Sequence, residues 1–526
     1  MKEITKKLTD EKNHTVLLLF FCVLTGTLIR LYYMPLQIPV ALDALDYFVY
    51  AIAINKEGWL PDGYISANFG WSIFLSLIFS LFPNNELIDL MNIQRILSSI
   101  ISASTVIPIY FTCRIFFKKN ISLLSSILFV FSPHVIQNSV LGIIDPSYIF
   151  FLTLTILFMF VKKRKLFFMS FVFAGICTIL RYEGMILIFP LLITFVIRKD
   201  FQINSILKLI LGIIFFISII FLMNTFAYQQ LEIEKYAENK EIFSPILGGL
   251  GYVSDVVISE NSDPNNPFFN TDSENQLEKF IYYSSLNYMK FLGYLLLPIS
   301  LFFIIPGLVL IRKKLTKNKM VFLVFFIFIS IVGIYAYGRG IQDIRYLIPL
   351  FPILILFSSK FFMNLEKRID IKKIIVFTIF FVIVSSLVFL EYKKTDNKYE
   401  EEIYDATKYV VSYANGVNIY EGSKFVRTAI LDNSWPEIPS KSERGRIASY
   451  VSKIPITNSS TLSEIIEEGK NNNLTHLVIT EKEKNLNLKK LIYEAPPDYL
   501  EKIYDSKDFD AKNIIFIFKI KYEILN

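Results

Sequence analysis

The sequence predicts a polytopic α-helical membrane protein of about eleven spans with a soluble α/β domain at its C-terminus. Three observations carry that expectation. Hydrophobic residues fill 53% of 526 positions and charged residues only 19%, against about 25% charged in an ordinary soluble protein. Apolar runs such as Thr15 to Tyr33 and Ile206 to Phe226 approach the roughly 20 residues that a helix needs to cross about 30 Å of hydrocarbon. Basic residues, finally, gather in short clusters between such runs, the pattern of an orientation signal.

The first run is long for a signal-peptide core, lacks a small-residue cleavage site and leads straight into more membrane sequence, so it reads as a retained span. Basic clusters follow at Lys6/Lys7, Lys118/Lys119, Lys162 to Lys165, Arg198/Lys199, Arg312 to Lys319 and Lys360 to Lys373. If all are cytoplasmic, an even number of crossings separates each successive pair. Spans near 15–33, 92–117, 121–138, 146–161, 166–180, 185–197, 206–226, 287–311, 320–336, 346–359 and 374–391 meet that condition. They place the N-terminus inside and the C-terminus outside. Residues 68 to 82 would break the parity and are assigned to an interfacial or re-entrant helix in the first external loop. The short runs 166–180 and 185–197, interrupted by Arg181-Tyr182-Glu183-Gly184, can also be read as one broken helix.

The chain thus divides at 391/392 into a membrane domain, 1–391, and an extracytoplasmic domain, 392–526. The tail alternates a helix-like start (401–416), strand-like Val417 to Tyr420, helix-like 461–473, strand-like 475–480 and a strand-like run from Asn513 to Ile524, the pattern of a small α/β domain. Cys22, Cys113 and Cys177 all lie in hydrophobic segments, so this tail has no disulfide to staple it. Asn458 and Asn473 open sequons on the external side. The net charge of +7 resides in the inter-span clusters, which argues for orientation and against nucleic-acid binding.

A charge at the centre of a span costs about 2.5–3.5 kcal/mol. No expected span carries an acidic residue at its midpoint, where ion-coupled transporters place theirs, and no internal repeat is evident. The acidic residues near the membrane stand instead at external span ends: Asp43, Asp46, Asp145 and Asp343, joined at that level by Arg95, Arg181 and Arg345. Singly, each is an ordinary loop residue at the headgroups. Together they suit chemistry on a lipid phosphate, an arginine stabilising the phosphate leaving group while an aspartate accepts a proton.

Asp43-Ala-Leu-Asp46-Tyr47-Phe48-Val49-Tyr50-Ala51, followed by Gly58-Trp59-Leu60-Pro61 and Gly70-Trp71, resembles the first luminal loop of the GT-C fold glycosyltransferases. That group takes in the protein O-mannosyltransferases, the aminoarabinose transferases of lipid A and, more distantly, the catalytic subunit of oligosaccharyltransferase. The resemblance implies that Asp46, with Tyr50-Ala51 four and five residues on, is the catalytic carboxylate, with Asp43 as second choice. Arg345-Tyr346, with Pro349 and Pro352, resembles the late-span arginine that contacts the donor's phosphate, and Arg181 joins Arg345 and Tyr346 as the expected donor-phosphate group. Asp145, Tyr50 and Arg95 are the supporting residues. Should a divalent metal take part, Asp46 and Asp145 are its expected ligands; the donor itself would be a polyprenyl-phosphate sugar.

Oligosaccharyltransferases carry a WWDYG sequence that this chain, with tryptophans only at Trp59, Trp71 and Trp435, does not have. That departure argues against en bloc transfer to asparagine and leaves single-sugar transfer. The leading expectation is therefore a multi-pass cell-membrane glycosyltransferase moving one sugar from a polyprenyl-phosphate donor to a protein, lipid or glycan acceptor on the extracytoplasmic face, with inversion. The alternatives are a transporter or flippase and a non-catalytic scaffold. Richness in Lys, Asn, Ile and Phe leans towards a prokaryote, an archaeon in particular.

Overall fold

The computed structural model describes residues 2–58, 68–161, 167–198, 203–228, 276–311, 316–338, 340–413, 421–435, 460–509 and 511–525. Residues 229–275 of the loop expected at 227–286 lie outside these, as do Trp59-Leu60-Pro61, Val417 to Tyr420 and Asn458 with Ser459 of its sequon, while 276–286 belong to a helix. The chain forms two compact units, each discontinuous in sequence: residues 1–34, 53–81 and 94–390, and residues 35–52, 82–93 and 391–526.

The first unit is helical. Among the described residues five helices are long and apolar enough to cross a membrane, or seven counting each bent pair once, and five shorter apolar helices accompany them. Each of the eleven segments expected to span coincides with one of these helices or pairs. Large apolar side chains stay exposed along them, Phe377 at 64% and Phe380 at 67% among them; in water so much apolar surface would be a liability, and in lipid it is the solvent-facing side.

Proline shapes the departures from straight spans. The run expected as one span at 287–311 is two helices, Gln276–Leu296 and Leu301–Ile311, bent by 111° across a break that contains Pro298. Proline has no N–H to continue the ladder and disfavours a helical residue before it. Pro133 likewise separates Lys119–Val130 from Pro133–Ser139 at 53°. The runs 166–180 and 185–197 become Phe168–Leu180 and Ile188–Arg198 with a 3₁₀ stretch, Tyr182–Leu187, between them. Residues 68 to 82 contain a helix of ten residues, Gly70–Phe79.

Small residues let the helices approach. A Cβ at Gly307 would collide with the Phe357 carbonyl of helix Phe351–Leu365, and one at Gly26 would stand 2.6 Å from Val130 Cγ2, the close packing expected where lipid supplies no hydrophobic drive between helices. The tight spot at Gly26 also seats Arg30, which is fully buried. Its Nε donates to Ser139 Oγ at 3.0 Å, Nη1 to the carbonyls of Gly26 and Val130 at 2.9 and 3.0 Å, and Nη2 to Ser102 Oγ at 3.1 Å. A single guanidinium thus ties the helix Lys2–Tyr33 to three later segments.

In the second unit a three-stranded antiparallel sheet, β1 (His476–Thr480), β2 (Leu500–Asp505) and β3 (Ile515–Ile520), has the order β1-β3-β2. Both faces are covered. Val478, Ile515 and Ile517 point to a core with Ile403, Val410, Phe425 and Ile430, whereas Leu477, Ile479, Phe516 and Phe518 point to one with Ile465, Leu474 and Leu488. This two-faced burial explains why His476–Thr480 and Ile515–Ile520 read as near-continuous apolar runs. The sequence reading missed β2, whose LEKIYD is mostly polar and alternates toward solvent. The helix-like 461–473 is Leu462–Asn471, opened by a capping box of Thr461 and Glu464. Asn473 is exposed with a left-handed φ of 56°. The helix-like start belongs to a single helix of 43 residues, Ile371–Tyr413, roughly 65 Å long at 1.5 Å per residue and about twice the hydrocarbon thickness.

Late in that helix, Glu402 accepts hydrogen bonds from the backbone N–H groups of Lys512 and Asn513, at 2.8 and 2.9 Å, and from the Asn513 side-chain amide. Burial alone would raise its pKa; these donors outweigh burial and hold it below the ordinary value of 4.5.

Two outcomes are expected. Arg30→Leu leaves several buried acceptors short of a donor and should cost about 2 kcal/mol, read as a lower melting temperature in detergent. A depressed carboxylate pKa contributes stability that is present above the unfolded value and lost as pH falls through the folded one. Glu402→Gln should therefore flatten the acid limb of the melting profile below about pH 4.5 relative to wild type.

Candidate active site

In the first unit, the 3₁₀ stretch after Leu180 brings a charged cluster together. Arg181 is extended, with φ −140° and ψ 127°, so its side chain turns across the start of helix Asp145–Phe160. The turn is tight: a Cβ at Gly184 would strike the Cys177 and Thr178 backbone, which glycine alone permits. Asn68 Oδ1 accepts from the Tyr182 N–H at 3.0 Å. Gly142, at φ +77°, presents its carbonyl to Trp71 Nε1 at 3.2 Å and Gln94 Nε2 at 2.8 Å. These bonds fix the loop that delivers Asp145.

Arg181 donates through Nη1 to Asp145 Oδ1 and through Nη2 to Glu183 Oε1 at 2.9 Å, with Nε 3.4 Å from Glu183 Oε2. The side chains of Arg181 and Asp145 are 11% and 1% exposed. The Arg181 guanidinium lies 5.9 Å from the Tyr148 ring centre and 5.4 Å from that of Tyr346, and the Arg345 guanidinium lies 5.6 Å from the same Tyr346 ring. Tyr346 is thus shared by two cations. Arg345 Nε pairs with Asp343 Oδ2 at 3.0 Å, with side chains 24% and 41% exposed, and Asp343 Oδ1 accepts from the Arg345 N–H at 2.9 Å. A narrow cleft of about 10 Å³, room for about one water, lies between Tyr148, Arg181, Glu183, Arg345, Tyr346 and Pro349.

Arg181 and Arg345 therefore differ in availability. Arg181 is held by two carboxylates and nearly sealed, whereas Arg345 pairs with Asp343 and is more exposed. Arg95, 4% exposed, packs against Gly142 and is not on the cleft wall.

The second unit holds the other expected residues. Asp43, Asp46 and Tyr50 share one face of the helix Asp43–Glu57, at the i, i+3, i+7 spacing. Both carboxylates stand in its first turn, where the helix dipole favours negative charge. The residue before it, Leu42, adopts φ +52° and is 65% exposed; a left-handed leucine is strained backbone beside an expected functional site. Asp46 Oδ1 accepts from Arg427 Nη1, with side chains 40% and 30% exposed.

Asp46 and Asp145 each already bind a guanidinium, and among the described residues no group of three His, Cys, Asp or Glu side chains could hold an ion. The sequence reading also gave no role to Glu183, Tyr148 or Arg427. Glu183 was visible as a charge inside an apolar run; Arg427, 381 positions from Asp46, had no local signal.

Residues 69–224 match the family model described as dolichyl-phosphate-mannose-protein mannosyltransferase. This stretch contains Asp145, Arg181 and Glu183 and excludes Asp46 and Arg345. Among solved structures, the chain is similar to ArnT from Cupriavidus metallidurans bound to undecaprenyl phosphate, with a TM-score of 0.53 at 10% identity over 95% of this chain and 97% of that one. The fold is GT-C. Apo ArnT gives 0.51 at 10% identity over 97% and 99%. The apo oligosaccharyltransferase of Archaeoglobus fulgidus gives 0.48 at 10% identity over 89% and 69%. No curated protein sequence matches. On this GT-C frame the cleft falls where the matched segment meets the later turn at Ile344–Tyr346.

The electrostatics predict a contrast in stability. Asp145→Asn weakens a sealed ion pair and should cost about 3 kcal/mol, whereas Asp343→Asn, on the more exposed pair, should cost no more than about 1 kcal/mol. Thermal denaturation of the two variants in one detergent checks the ranking.

Proposed function

We propose that this chain is a membrane glycosyltransferase that moves one sugar from a polyprenyl phosphate to a hydroxyl acceptor on the extracytoplasmic face, its N-terminus cytoplasmic and its C-terminal domain outside. The observation that carries the reading is that the segment matching a mannosyltransferase family supplies Arg181 and Glu183 to a cleft that also takes Arg345, with Asp145 behind them on Arg181.

Arg345 is assigned the donor phosphate. Its planar fork suits phosphate oxygens, and its exposure leaves it reachable. Arg181, held between Asp145 and Glu183, orients Tyr346 and keeps the wall of the cleft rigid. Asp46 is assigned the base. It takes the acceptor hydroxyl proton while the acceptor oxygen bonds to the anomeric carbon. The bond from that carbon to the phosphate oxygen breaks with its electron pair leaving on the phosphate, which gives inversion at the sugar. The undecaprenyl phosphate of the ArnT structure and the dolichyl-phosphate-mannose of the family description support a polyprenyl-phosphate donor here. A protein acceptor is the reading that the family description favours.

Purified protein incubated with radiolabelled polyprenyl phosphates carrying mannose, glucose or aminoarabinose, in the presence of solubilised envelope protein and lipid, should move label out of the donor. Label that stays entirely in the donor would refute the reading. Asp46→Asn keeps the shape and removes the base, so transfer should fall about 10²–10⁴-fold with the melting temperature kept. Arg345→Ala should chiefly raise the donor KM, and an unaltered KM would remove it from phosphate binding.

A further inference from the structure

The segment 421–435 contains two short helical pieces, Glu421–Phe425 and Val426–Ser434, and its contacts converge on the loop that carries Asp46. The Thr428 hydroxyl donates to the Val40 carbonyl at 3.1 Å. The Trp435 and Phe48 rings are 6.1 Å apart. Phe425, Val426 and Ile430 are buried in the same core as Ile38. Between these anchors Arg427 reaches Asp46 Oδ1. No other hydrogen bond or ion pair to the Asp46 carboxylate is present among the described residues.

From this arrangement we infer that Arg427 is a positioning residue for Asp46: it holds Oδ1 of the carboxylate so that Oδ2 faces the acceptor hydroxyl. The inference rests on the proposed transfer reaction with Asp46 as its base. Three features argue for a role beyond folding. The guanidinium is placed by a packed core through Phe425, Val426 and Ile430, so its direction is set before any substrate arrives. The pair itself is 30% and 40% exposed, and ion pairs that open to solvent contribute little to stability. An aspartate in the first turn of a helix with only one oxygen tied keeps the other for a proton. In the reaction the acceptor's proton goes to Oδ2 and the arginine stays protonated throughout, so the pair exerts its effect through orientation and charge.

The test uses the full-length chain in detergent with radiolabelled dolichyl-phosphate mannose, or whichever of the three donors wild type turns over. Arg427→Ala should lower kcat about 10- to 100-fold, keep the donor KM within about twofold, leave the melting temperature unchanged, and regain part of its rate with added methylguanidine. A wild-type kcat in Arg427→Ala would overturn the inference. So would a loss that methylguanidine does not restore and that tracks a lowered melting temperature. If Arg427→Ala does not fold, Arg427→Lys decides, because an ammonium cannot reproduce the guanidinium's direction: a reduced kcat at constant KM supports the role and a full kcat overturns it. Wild type that transfers nothing removes the underlying reaction and this role together. Wild type active, Asp46→Asn inactive and Arg427→Ala fully active removes Arg427 alone.

Discussion

A charge buried where water cannot reach must find its compensation within the fold, and Arg181 shows what that demands. Its guanidinium is met by Asp145 from one helix start and by Glu183 two residues along its own chain. To deliver Asp145, Gly142 takes a left-handed turn with its carbonyl held by Trp71 and Gln94. To deliver Glu183, the helix must stop at Leu180 and tighten into a 3₁₀ stretch that only glycine at 184 allows. Helix breaks, turn and loop anchors at this site all follow from pairing one cation.

The balance of the cluster matters for its chemistry. Three acidic side chains, Asp145, Glu183 and Asp343, face the two guanidinium groups of Arg181 and Arg345. Arg181 faces two of these carboxylates at close range, while Arg345 pairs with Asp343 where both side chains are partly solvated. Burial separates the two arginines: Arg181 is nearly sealed and Arg345 partly open. Arg30 is a third solution to the same problem, a buried guanidinium answered by neutral hydroxyl and carbonyl oxygens, and its effect is to tie helices rather than to present charge.

Much of the fold was legible because lipid imposes a simple rule, that backbone polar groups pair within the segment and side chains facing hydrocarbon are apolar. Length and hydropathy therefore located a helix or a bent helix pair at each expected span, seven of them long and apolar enough to cross among the described residues. Proline positions 133 and 298 marked the bends without revealing their angles. In the C-terminal region, β1 and β3 announced themselves as apolar runs, and β2 did not, because an edge strand with alternating charge looks like a loop. Among the expected site residues, Arg181, Arg345 and Tyr346 stood out as charges or aromatics at span ends and line one cleft, with Asp145 bound to Arg181; Arg95, read by the same rule, packs against Gly142.

What the sequence alone determined is the class of protein and the inventory of chemistry: apolar period and length specify membrane helices, and the scarcity of charge makes each carboxylate and arginine near a span end conspicuous. What only the tertiary structure decided is which of those charges are paired. Glu183 closes on Arg181 because a 3₁₀ turn folds it back, and Arg427 closes on Asp46 because residues 35–52 pack into the same unit as residues 391–526. Pairing depends on distances of a few ångströms between residues tens to hundreds of positions apart, and no local pattern of side chains encodes such a distance.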